Sequence, residues 1–253
     1  MLHYCSLGSG SGGNALVVRA RHTCIMIDCG FSAQETERRL ARAGLQPEQL
    51  NAILITHEHG DHIGAAGAFS RRHGIPVYAS HGTLRAARDN RFPSTLEITS
   101  DSPIEIRDLQ VTPFTVPHDS REPTQFTLSD GDRELALMTD AGHVTPHMVE
   151  IAARVDGLLL ECNHEPDMLQ AGPYPERLKE RIRGGWGHLP NHAARDLLRR
   201  ADNRKLRSLI GMHLSTDNNH PDHARKALAD GVGAAPTEME LATQEEGFSW
   251  REL

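Results

Sequence analysis

The sequence contains no apolar run near the roughly 18 residues of a membrane-spanning helix. Its opening, MLHYCSLGSGSGGN, lacks the basic start and apolar core of a secretory leader. A cytoplasmic protein with no membrane contact is therefore expected. Cysteine is sparse: Cys5, Cys24, Cys29 and Cys162 form neither a CxxC pair nor zinc-finger spacing, and fit reduced, mostly buried thiols. Positive charge is also short. Lys and Arg number 27 against 34 Asp and Glu, a formal net charge of −7, which argues against a chain-wide basic surface for duplex nucleic acid. Arginine is concentrated locally instead, at Arg38, Arg39 and Arg42, at Arg71 and Arg72, at Arg177, Lys179, Arg181 and Arg183, and at Arg199 and Arg200. Such clusters read as solvated helix faces or as a hold on one phosphodiester strand. No repeat, low-complexity tract or long linker interrupts the chain, so a single domain over 1–253 is expected, long enough to bury a core.

What is present is a regular alternation of strands and helices. ALVVRA (15–20) and CIMIDCG (24–30) read as a hairpin. SAQETERRLARAG (32–44) follows as a helix, with Ser32 and Glu35 at capping-box spacing and Gly44 as its stop. AILIT (52–56) is a buried strand, and GAAGAFSRRHG (64–74) a short helix. PVYAS, LQVTPFTV, TQFTLS and ELALMTD are further strands, with Asp130-Gly131 as a turn before the last. Helices TPHMVEIAARV (145–155) and NHAARDLLRRA (191–201) flank strand GLLLEC (157–162). LRSLIGMHL (206–214) is a strand and PDHARKALADG (221–231) a helix, and two short strands end the chain. Early hairpins followed by β–α alternation imply two sheets with helices outside, either a four-layer αββα sandwich or another large α/β fold.

Histidine is the outlier, with 16 copies. The stretch ILITHEHGDHIGA (53–65) sets His57, His59, Asp61 and His62 directly after an apolar strand. Residues i and i+2 of an extended segment point the same way, so His57 and His59 reach one ion together. Gly60 turns the chain, and Asp61 and His62 are displaced toward a second ion. Imidazoles suit zinc, manganese or iron, and a carboxylate suits the harder ions. Three later strands each end in a lone ligand-type residue: His118 after 109–116, Asp140 after 134–139 and His213 after 206–212. Together these make seven candidate ligands for two divalent ions.

HEHGDH, followed by a His, an Asp and a His at strand ends, resembles the metallo-β-lactamase superfamily, over nearly the whole chain. SLGSGSGGN, ECNHEPDML, GPYP, GHLPN and HLSTDNNHP are similar to motifs of its YycJ (WalJ) group, relatives of the tRNase Z and RNase J nucleases. The resemblance implies the αββα sandwich. It also implies that His57, His59 and His118 bind one metal, Asp61, His62 and His213 the other, and that Asp140 bridges them. Asp28, in MIDCG, would orient a ligand by hydrogen bonding. The expected catalytic residues are Asp61, as a ligand, and His188, a phosphate-contacting general acid outside the metal shell. Pro190 departs from the group, where a serine is expected. Diiron members carry Glu where His59 stands, so hydrolysis is favoured over redox chemistry.

Gly8, Gly10 and Gly13 mimic a dinucleotide fingerprint, but strand-like ALVVRA follows where a helix is required, which excludes a nucleotide cofactor. Ser11 and Asn14 in that loop, with His164 and Asn219, are candidate substrate contacts. The resemblance implies a 5′-to-3′ exonuclease on DNA, with RNA also open, in which a metal-bridging hydroxide attacks phosphorus. The expected partner is single-stranded or end-exposed nucleic acid. The alternative is a small-molecule hydrolase, either a glyoxalase II-like thioesterase or a cyclic-phosphodiester hydrolase. The net charge of −7 favours that alternative and the local arginine clusters count against it.

Overall fold

The computed structural model covers residues 1–253. The chain divides into two compact units, one of Met1–Thr115, Ser120–Arg133 and Gln244–Leu253, the other of Val116–Asp119 and Glu134–Thr243. No helix is long and apolar enough to cross a membrane.

In the first unit β1 (His3–Gly8), β2 (Ala15–Arg19) and β3 (Cys24–Ile27) form an antiparallel meander. β4 (Ala52–Leu54), β5 (Val77–Ser80) and β6 (Thr95–Ile98) extend it in parallel. The last strand of the chain, β14 (Phe248–Glu252), returns to pair antiparallel with β1. The register aligns Val17, Met26, Ile53 and Val77 in one row across four strands, and all four lie in the unit's apolar core. Such strands are buried on both faces, which is why they read as continuous apolar runs.

Helix α1 (Ala33–Arg42) sets Leu40 into the same core. Ser32 caps it by accepting from the Glu35 amide at 3.2 Å, while the Glu35 carboxylate turns to Arg38 and Arg39 and leaves the capping box half made. A single turn, α2 (Gly60–Ile63), precedes α3 (Ala66–His73), which is the helix expected over 64–74, and α4 (His81–Ala86) follows β5. β7 (Ile104–Ile106), β8 (Leu109–Thr115) and β9 (Thr124–Ser129) form a second antiparallel meander. β1, β6 and β7 were not evident in the sequence.

In the second unit β10 (Glu134–Met138), β11 (Gly157–Glu161), β12 (Ser208–Met212) and β13 (Glu240–Leu241) run parallel, in the order β13-β12-β11-β10. The connections carry α5 (Pro146–Arg154), α6 (Pro166–Ala171), α7 (Glu176–Arg183), α8 (Asn191–Arg200) and α9 (Pro221–Val232). Thr145 caps α5 by accepting from the Met148 amide. Pro190 is the N-cap residue of α8. The register matters most for function. Met138 pairs with Leu160, and Glu161 with Met212, so the carboxyl ends of β10, β11 and β12 emerge side by side, where parallel sheets place their ligand sites.

All four cysteines are buried as free thiols. Burial pushes Cys5 and Cys29 up to about 12 and Cys24 to about 11, so none is a thiolate at neutral pH.

Candidate metal centre

The first unit brings together Asp28, His57, His59, Asp61 and His62. Asp28 follows β3 in the left-handed region (φ 63°), a costly conformation for a residue other than glycine. It turns a buried carboxylate toward the exit of β4. Its Oδ1 accepts from the Thr56 amide at 2.9 Å, and its Oδ2 accepts from His62 Nδ1 at 2.8 Å. Burial pushes the Asp28 carboxyl up, against the opposing pull of His62 and Thr56. With Nδ1 donating to Asp28, the His62 ring presents its Nε2 lone pair. His57 is held in the same sense, with Nδ1 3.0 Å from Thr56 Oγ1, which itself donates to Asp28.

His57 Nε2 and His59 Nδ1 lie 3.0 Å apart. Two nitrogens on one tetrahedral ion at about 2.0–2.1 Å are about 3.3 Å apart, so this pair already has the spacing of a shared ion. The donor set thus fits a divalent metal. Asp61 sits in the first turn of α2, and the backbone around it is tightly packed. The Asn14 amide donates to the Asp61 carbonyl at 2.8 Å, and a Cβ at Gly30 would lie 1.7 Å from that same oxygen.

Asn14 is buried, and its side chain bonds the Gly10 carbonyl at 3.0 Å and reaches His62 Nε2 at 3.2 Å. It therefore joins the glycine loop to the histidine segment. Ser11 is exposed at the tip of that loop.

The second unit brings together His118, Asp140, Glu161, His188 and His213. Asp140 and His213 follow β10 and β12, and both adopt left-handed backbone with φ 54°. Glu161, the last residue of β11, lies between them and is fully buried. Its Oε2 accepts from the Ala141 amide at 2.9 Å. Its Oε1 accepts from His188 Nδ1 at 2.8 Å and lies 3.4 Å from His213 Nδ1. Asp140 Oδ1 is 3.2 Å from His213 Nδ1 and 3.4 Å from His188 Nδ1. One donor atom from each of Asp140, Glu161, His188 and His213 lies within 4.8 Å of the others.

Burial alone would raise the Glu161 carboxyl, but the His188 and His213 imidazoles hold it below the usual carboxylate range. The His188 side chain is 20 % exposed, unlike the wholly buried Glu161 that holds it. His118 Nδ1 donates to the Gly187 carbonyl at 3.0 Å, which turns Nε2 away as a lone pair.

Glu161 was missed by sequence reasoning, although its signal was present: a carboxylate closing the apolar run GLLL. His164 is buried, with Nδ1 3.3 Å from Asn163 Oδ1, and burial lowers its pKa to about 4. Asn163 in turn donates to the His213 carbonyl at 2.9 Å and braces that strained residue. Asn219 donates to the Cys162 and Asn163 carbonyls at 2.8 and 3.1 Å. His164 and Asn219 thus lie in the support beneath the exit of β11. Of the basic segment on α7, Arg181 pairs with Asp119, Arg183 with Glu176, and Lys179 is buried on the Gln170 carbonyl.

Residues 23–214 match the family described as beta-lactamase superfamily domain. The chain is 33% identical over 239 residues to exodeoxyribonuclease WalJ of Streptococcus pneumoniae, covering 92% of this chain and 88% of that one. The chain belongs to the metallo-β-lactamase superfamily. Within it the likeness is to the WalJ/YycJ group: exodeoxyribonuclease YycJ of Bacillus anthracis is 33% identical over 245 residues, 92% of this chain and 93% of that one. The metallo-β-lactamase fold protein YhfI of Bacillus subtilis superposes with a TM-score of 0.76 at 15% identity over the full length of both chains. The α/β sandwich expected from the sequence is therefore the fold of this superfamily member, and the chain is a metal-dependent hydrolase.

Proposed function

We propose that this hydrolase is a dinuclear phosphodiesterase that removes nucleotides from the 5′ end of single-stranded DNA. The observation that carries this reading is its likeness, over nearly its whole length, to two proteins called exodeoxyribonucleases. The donor chemistry supports it. In this reading His57, His59 and His118 would hold one ion and Asp61, His62 and His213 the other, with Asp140 as a ligand common to both. Imidazole-rich ligation suits zinc or manganese. When bound, two such ions supply Lewis acidity toward the phosphoryl oxygens and lower the pKa of a water that serves as nucleophile.

The chain's own residues do the rest. Asp28 and Thr56 fix the tautomers of His62 and His57, so that both rings would offer a lone pair to a bound ion. The Gly187 carbonyl does the same for His118. Glu161 holds His188 Nδ1 and so orients the ring, leaving Nε2 free to face the substrate. That nitrogen is then the position from which a proton passes to the departing sugar oxygen. Glu161 stabilises the ring while it carries that proton.

The test is a comparison of substrates. End-labelled single-stranded DNA, a chromogenic phosphodiester and a thioester are offered to metal-loaded protein. Release of mononucleotides from the 5′ end supports the reading. Thioester turnover with intact DNA contradicts it.

A further inference from the structure

We propose that Trp186 is a stacking platform for an unpaired base next to the scissile phosphate. This deepens the nuclease reading and rests on it. Trp186 is 63% exposed, and the other strongly exposed large apolar side chains, Met1 and Leu96, belong to the first unit. It has no part in either core. The backbone that carries it is nonetheless well braced. The turn that carries it is closed by the Gly187 amide on the Gly184 carbonyl at 2.9 Å and by the His188 amide on the Ile182 carbonyl at 3.0 Å. His143 Nδ1 donates to the Gly185 carbonyl at 2.8 Å, and its ring meets the indole edge-on at 6.5 Å between centroids. Gly142 is pressed against the same turn, since a Cβ there would lie 2.5 Å from the Trp186 amide nitrogen.

The neighbours of this turn are the catalytic groups themselves. Gly187, the next residue, supplies the carbonyl that orients His118. His188 is two residues on, within about 7 Å along the chain. The loop packed behind the indole, 140–143, begins with Asp140. An exposed aromatic ring is thus carried on a braced turn beside the residues proposed to bind and protonate the phosphodiester.

A strand-degrading enzyme must grip each arriving nucleotide whatever its base. Stacking suits that task because every base has a π-face, whereas hydrogen-bond readout would discriminate. An indole also offers a large rigid face with two side-chain torsions to restrain.

The experiment measures KM and kcat for W186A and W186F on single-stranded DNA. An abasic residue is scanned through the first four nucleotides, and metal content is measured alongside. One stacked base corresponds to about a 5- to 150-fold rise in KM for W186A. W186F should recover most of it, with both metals retained. At one abasic position the wild type should fall to the level of W186A on intact strand. A W186A deficit that persists with every abasic strand, appears only in kcat, or comes with metal loss overturns the proposal, as does W186A matching wild type. If wild-type protein cleaves the chromogenic diester but no DNA, the nuclease reading itself has failed and the stacking role falls with it.

Discussion

Replacing Glu161 by Gln tests the part of the site that the sequence did not disclose. The side chain is fully buried and accepts from His188 Nδ1 at 2.8 Å and from the Ala141 amide at 2.9 Å. Glutamine keeps the shape but turns one acceptor oxygen into a donor, which faces either the Ala141 N–H or the His188 N–H. One charge-assisted hydrogen bond is lost, about 1.5–3 kcal/mol. If that loss falls on the protonation step, kcat drops about 10- to 150-fold. The ceiling is the whole contribution of a general acid, about 10²–10⁴-fold. The assay compares single-stranded DNA, whose sugar leaving group needs a proton, with a nitrophenyl phosphodiester, whose leaving group does not. The deficit should appear on DNA, be much smaller on the nitrophenyl diester, and be non-additive with His188→Ala. Equal losses on both substrates, or loss of metal, would refute the reasoning and place Glu161 among the ligands.

Three further outcomes are expected. His188→Ala retains both metals and loses about 10²–10⁴-fold in turnover on DNA, whereas His213→Ala loses an ion; elemental analysis showing the reverse exchanges the two roles. Asp28→Asn weakens the ion held by His62 by about 10- to 100-fold in chelator competition, and unchanged affinity would remove Asp28 from the support of that ligand. His164 is held near a pKa of about 4 by burial, below its ordinary 6.5, so the folded state binds fewer protons than the unfolded chain. Its contribution to stability is complete above the unfolded value and falls away as pH drops toward 4, by about 3 kcal/mol at about 1.36 kcal/mol per unit. His164→Gln should flatten that limb of denaturant midpoints between pH 7 and 4, and an unaltered limb would contradict the assignment.

Much of this architecture was legible because strand ends announce themselves. An apolar run that stops abruptly at His57, Asp140 or His213 marks a buried strand delivering a polar residue, and parallel register then sets Asp140, Glu161 and His213 beside one another. Glu161 escaped notice because it terminates its strand from within, where GLLLEC reads as one apolar segment. The left-handed backbone of Asp28, Asp140 and His213 was not legible either, since none is a glycine and nothing in spacing signals such strain. Asn14, His164 and Asn219 stand in motif-like stretches, but their burial and their bonds to the surrounding loops depend on tertiary packing. The helices α4 and α6 were missed because each has 6 residues, too short for an apolar period to emerge, and α7 because its one buried residue is Lys179, which leaves no apolar stripe to read.

The central claim is a two-metal hydrolase, and the most direct measurement is metal content titrated against activity. Apoprotein reloaded with zinc or manganese should bind two equivalents per chain and gain DNA-cleaving activity until the second is bound. Asp140→Ala should lose metal and activity together, because its carboxylate is assigned to both ions. Full turnover by metal-free protein, or by Asp140→Ala retaining two equivalents, would contradict the account.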